Sequence, residues 1–149
     1  MRSRLRLFLA DSRASVLIET ALIAPIMLIM SLGAFDLSRL VARQTELQEV
    51  AAEVSAIAMA STPDGESLAA LKTIAVTSAN VTSQNVTLAQ YYRCDSDTTL
   101  QTSSSACGEE DEVSSLIQLR IQSTYTPIWV SFGVGGPVNL DVSRMVQIG

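Results

Sequence analysis

The chain has 149 residues, 48% of them hydrophobic, a formal charge of −5 and no histidine. That length allows one small domain and an anchor. The acidic balance argues against a nucleic-acid partner, because phosphate binding draws on clustered Lys and Arg. The missing imidazole removes the commonest general base and metal ligand at once.

The first fourteen residues form a basic leader, with Arg2, Arg4, Arg6 and Arg13 set around Leu5, Leu7, Phe8 and Leu9. Residues 15–35 follow as an apolar run whose only charge is Glu19. As a helix these 21 residues reach about 31 Å, which matches a hydrocarbon core of about 30 Å. The spacing predicts a single transmembrane helix in contact with the lipid bilayer. Four arginines before the run, against Arg39 and Arg43 soon after it, set the N-terminus in the cytoplasm and the remainder outside it. A secretory cleavage site is excluded, because the small-x-small triplets Ala56-Ile57-Ala58 and Ala58-Met59-Ala60 lie far beyond the apolar run and behind six charged residues. A carboxylate within such a span costs about 2–3 kcal/mol at its centre and less near its end, so Glu19 calls for a reason.

Ser15-Val16-Leu17-Ile18-Glu19 resembles the processing site of type IV pilin-like proteins. Its continuation, Glu19-Thr20-Ala21-Leu22-Ile23-Ala24-Pro25, is similar to the "E-x-A-L-x-x-P" core of the TadE-like family, the minor pilins or pseudopilins of the tight-adherence (Tad) pilus. The resemblance implies a prepilin peptidase that cuts between Ala14 and Ser15. Ala14 stands where pilins favour glycine. It implies other Tad pilins and an inner-membrane assembly platform as partners, and a head in the periplasm of a bacterium. It also implies a role for Glu19 in setting subunit register. Cleavage would expose an α-amine on Ser15 with a pKa near 7.7–8.0, which Glu19 of a neighbouring subunit neutralises as a buried pair. The plainer alternative is that Glu19 reaches up to the cytoplasmic interface. Pro25, inside the span, lacks a backbone donor and crowds the Ala21 carbonyl, so a helix kink is expected there.

In residues 36–60 the helix continues into water as an amphipathic extension. Leu37, Leu40, Val41, Leu47, Val50, Ala51, Val54, Ile57 and Ala58 recur at three- and four-residue steps, opposite Arg39, Arg43, Glu46, Glu49 and Glu53. Such a stripe is more often intramolecular core than a partner surface. Ser61-Thr62-Pro63-Asp64-Gly65 ends this helix. Residues 66–78 then favour a second, short helix over a strand through Ile74 and Val76.

After Asn80 the period changes to two. Three half-buried strands are expected, with Val86, Leu88, Gln90 and Tyr92 on one face of the first and Ile117, Leu119, Ile121, Ser123 and Tyr125 on one face of the second. Val138, Leu140, Val142, Arg144, Val146 and Ile148 form the third, after a turn at Gly133-Val134-Gly135-Gly136-Pro137. Residues 61–149 are thus an α/β head, and the fold class is α+β: a long N-terminal transmembrane and amphipathic helix packed by a small antiparallel β-sheet, as in pilins. Cys94 and Cys107 bracket a polar loop between the first two strands, and outside the cytoplasm they pair as a disulfide. Closing that loop is worth about 3 kcal/mol in the chain-entropy model.

Glu109, Glu110, Asp111 and Glu112 lack the spacing of a calcium loop and read as a solvated turn. The glycosylation-like triplets at Asn80 and Asn85 read as chance matches. No metal or cofactor site is expected, and with no G-x-S-x-G, P-loop or partnered lysine the sequence offers no enzyme. A structural minor pilin is the leading reading. Its rivals are an uncleaved, signal-anchored periplasmic accessory protein and a membrane-tethered binding domain.

Overall fold

A computed structural model describes residues 12–61, 63–95 and 98–148. The chain divides into two units, one ending at Arg39 and one beginning at Leu40. The first helix, α1 (Ser12–Ser61), has 50 residues and keeps its α-helical assignment through Pro25. The expected second helix is present as α2 (Gly65–Ala79). Its first turn is closed by Asp64, whose carboxylate accepts from the Ser67 backbone N–H at 3.0 Å and from the Ser67 hydroxyl at 2.8 Å. Its last turn ends at Asn80 in the left-handed region, φ 49°, where the Asn80 N–H returns to the Thr77 and Val76 carbonyls. Asn80 is therefore a helix cap, a meaning its glycosylation-like triplet does not carry.

The three expected strands are β1 (Val86–Cys94), β2 (Val113–Tyr125) and β3 (Val138–Gln147), antiparallel in the order β1-β2-β3. The fold is α+β. Val86, Ile121 and Val142 share one row across the sheet, and Cys94 faces Val113 at the far end of β1. One core joins Leu47, Val50, Ala51, Val54 and Ala58 of α1, Leu71, Ala75 and Ala79 of α2, and Val86, Ile117, Leu119, Ile121, Leu140, Val142 and Ile148 from the sheet and its end. Half of the helical members are alanines, so the larger sheet side chains supply most of the buried apolar volume.

The outer face of the sheet is a polar ladder. Arg120 forks onto Asp141, Gln122 Nε2 donates to Asp141 at 3.2 Å, and the Thr124 hydroxyl meets Asn139 at 3.1 Å. Cross-strand pairs of this kind hold register while facing water.

Three details depart from the periodic reading. Leu37 and Val41 are exposed, so the buried stripe of α1 starts later than the apolar pattern does. Arg144 lies on the inward face of β3 yet is exposed, at a groove beside Gln44 and Gln48. Leu116, on the outward face, is buried. Periodicity fixes which way a side chain points but not how far the covering element extends, and all three departures lie at that limit.

Candidate membrane-anchor and assembly site

Between Val16 and Phe35 the large apolar side chains are 48% to 71% exposed and occur on every side of the helix. A helix apolar all round needs a low-dielectric surrounding. α1 is long and apolar enough to cross a membrane, with a mean hydropathy of 2.1 in its most apolar window. The span's hydroxyls are satisfied within it: Thr20 donates to the Val16 carbonyl and Ser31 to the Met27 carbonyl, each at 2.8 Å. Glu19 is exposed, and among the described residues it has no hydrogen-bond or ion-pair partner. Pro25 lies six residues further on, where its missing N–H leaves the Ala21 carbonyl without a helical donor.

The bond joining Ala14 to Ser15 falls within the first turns of α1. Residues 1–11, with Arg2, Arg4 and Arg6 of the basic leader, lie outside the described residues. Towards the end of the first unit, Arg39 sits 5.8 Å from the centre of the Phe35 ring, a cation–π contact. Asp36, an ordinary polar residue in the sequence pattern, is only 1% exposed. No feature of its local sequence signals that burial.

In the head, Cys94 and Cys107 form the expected disulfide. The loop they close is tied further by Tyr92 and Gln101, which exchange both backbone hydrogen bonds at 2.8 Å. That pairing covers part of the open edge of β1. In the acidic run, Asp111 caps a turn by accepting from the Gly108 N–H at 2.9 Å. Among the described residues, no three acidic or cysteine side chains converge as a metal site.

The polar ladder tunes its own charges. The Arg120 hydrogen bond holds the Asp141 carboxyl below its ordinary range, against the opposing effect of desolvation. The reciprocal bond pushes Arg120 up. Asp64 is held down chiefly by its backbone hydrogen bond from Ser67. A groove of about 450 Å³ runs between Gln44 and Gln48 of α1 and Asp141, Val142, Ser143 and Arg144 of β3. The Gln44 Oε1 is buried and has no hydrogen-bond partner among the described residues.

The family model described as TadE-like protein matches residues 14–55. The N-terminal segment is TadE-like. This match supports involvement with the Tad pilus system. The TadE-like segment covers the apolar span and reaches into the buried stripe of α1, and it includes none of α2, the sheet or the disulfide loop. No curated protein and no solved structure matches the chain.

Proposed function

We propose that the protein is a minor pilin, or pseudopilin, that takes part in assembly of a Tad-type adhesive pilus after a prepilin peptidase cuts between Ala14 and Ser15. The observation that carries this reading is the bare apolar helix with one exposed acid, Glu19, which has no partner among the described residues and lies four residues beyond Ser15 inside the TadE-like segment. An acid in a lipid-facing helix is costly unless it meets a partner. The new Ser15 amine of an adjacent subunit is such a partner, and pairing the two fixes the axial stagger of neighbouring helices at about one turn. Because the Ala14–Ser15 bond is helical, the peptidase must open the first turns of α1 before it can cut. The donor missing at Pro25 weakens the helix where a subunit leaving the bilayer for a filament needs it to yield.

The basic leader sets the N-terminus in the cytoplasm by the positive-inside rule, with the head in the periplasm and the span in the inner membrane. Its partners in this reading are the prepilin peptidase, other Tad pilins and minor pilins, and the assembly platform.

The test is the intact mass of the membrane-extracted protein from cells with and without the prepilin peptidase. A chain beginning at Ser15 only when the peptidase is present supports the pilin route. A chain that keeps its leader in both strains makes the protein a permanent signal anchor, and the accessory-protein reading replaces this one.

A further inference from the structure

The sheet has two edges, and the chain treats them differently. The outer edge of β1 is partly covered, because Tyr92 and Gln101 exchange both backbone hydrogen bonds at 2.8 Å within the disulfide-tied loop. β3 is the other edge. It runs ten residues without a proline or a glycine and pairs with β2 without a bulge. Among the described residues no backbone hydrogen bond from outside the sheet reaches residues 138–147. Prolines, bulges and covering loops are the usual means of closing an edge, and β3 has none of them.

Register identifies the groups this edge offers. The Ile148 N–H donates to the carbonyl of Ser115, directly opposite it, at 2.8 Å. Bonded residues alternate along an antiparallel strand, so Val146, Arg144, Val142, Leu140 and Val138 also turn their N–H and C=O groups to β2. Asn139, Asp141, Ser143, Met145 and Gln147 turn theirs outward. The Asp95 N–H, bonded to the Glu112 carbonyl at 3.1 Å, sets the same alternation from the β1 side. Beside the middle of the edge lies the groove of about 450 Å³ between Gln44 and Gln48 of α1 and residues 141–144. Arg144 lines it, is exposed, and has no ion-pair partner among the described residues. Asp141, the other charge of β3, is already bound by Arg120 on the outward face.

We propose that the free edge of β3 receives an extended strand from another Tad pilin, which sets a carboxylate against Arg144. The inference rests on the pilin reading. Outward N–H and C=O groups at every second residue are matched by another extended backbone, and a groove beside such an edge takes the side chains that the added strand turns inward. A second copy of this chain is the poorer occupant. Arg144 shares the inward face of β3 with Val138, Leu140, Val142, Val146 and Ile148. In any antiparallel pairing of β3 with itself, Arg144 therefore meets an apolar side chain or another arginine, and its charge stays unanswered. Pairing with a different pilin joins two heads into one sheet, independently of the Glu19 contact in the span.

The test uses the full-length protein in detergent, alone and as the complex purified from cells that also make the other Tad pilins. Amide hydrogen exchange is read residue by residue. Alone, the Asp141, Ser143 and Met145 amides should exchange as open ones while those of Val142 and Arg144 are protected. In the complex the open amides should slow by about tenfold or more. Ser143→Pro removes an N–H that the ladder does not use and should cut co-purification about tenfold, whereas Ser143→Ala should not. Arg144→Glu should cut it similarly, and Arg144→Lys should retain it. The exchange measurement needs only wild-type protein, so it decides the matter even where a variant misfolds. Amides of Asp141, Ser143 and Met145 that stay open in an intact complex overturn this inference alone, as does undiminished co-purification of Ser143→Pro or Arg144→Glu. Protection that arises in the protein alone and grows with its concentration makes the occupant a second copy and overturns the partner assignment. Wild-type protein that brings down no other pilin overturns the pilin reading and this inference with it.

Discussion

Two stretches of α1 have the same backbone and opposite surroundings. Residues 16–35 are apolar on all sides and bare on all sides, whereas Leu47, Val50, Ala51, Val54 and Ala58 form one stripe and are buried by the head. Both stretches are hydrophobic, so hydrophobicity alone does not distinguish them. The arrangement does. A full circumference of apolar side chains exceeds what one small sheet can cover and calls for lipid or other helices. A stripe of about a third of the circumference matches one face of a sheet, leaving Glu46, Glu49 and Glu53 toward water.

The largest expected difference between the two stretches is in stability. Ile121→Ala, in the core that covers the stripe, should destabilise the head by about 2–5 kcal/mol. Ile29→Ala in the span should leave the unfolding midpoint of the head unchanged. Denaturant titrations of both variants in the same detergent make the comparison, and an equal loss in both would mean that the span and the head unfold as one unit.

Removing the staple acts on the head alone. Paired Cys94→Ser and Cys107→Ser substitutions should cost about 3 kcal/mol, read as a lower thermal midpoint that reductant does not lower further. Wild-type protein whose midpoint does not respond to reductant would deny the disulfide that role.

Glu19→Ala probes the bare stretch. Membrane insertion should persist or improve, by less than the roughly 2–3 kcal/mol that a central acid costs, while co-purification with partner pilins falls. Unchanged co-purification would remove the register role from Glu19.

The smallest effect is one of pH. Asp64 and Asp141 have folded-state pKa values below their ordinary ones. Their stabilisation is therefore fully present above the unfolded carboxylate value of about 3.9 and is lost as pH falls through the lower folded values. The gap in thermal midpoint between wild type and Asp141→Asn should be widest near neutrality and close at the acid end. A gap that stays constant with pH would mean that the Arg120 pairing contributes nothing through charge.

Much of this was legible in the sequence because it depends on local repeats. The change of period after Asn80 located three strands, and Ile117, Leu119 and Ile121 are buried as their alternation requires. The turn residues and proline of Ser61-Thr62-Pro63-Asp64-Gly65 marked the break between α1 and α2. The TadE-like motif around Glu19 is a short contiguous string. The features that escaped are those in which distant segments meet. Leu116 is covered on a face that alternation assigns to water. Asn80, whose glycosylation-like triplet reads as a chance match, is a helix cap in space. The sequence marks a turn at residues 133–137, and only the folded loop separates buried Pro127 from exposed Phe132 and Val134.

By itself, then, the sequence determined the long apolar helix, the strand faces and the cysteine pair, because helical and pleated periods and the length of an apolar run are properties of the chain itself. The tertiary structure alone decided where the buried stripe of α1 begins, which edge of the sheet is tied by Gln101, and that Phe132 is exposed while Pro127 is buried. Those outcomes depend on register and reach between segments far apart in the chain, and no local period encodes them.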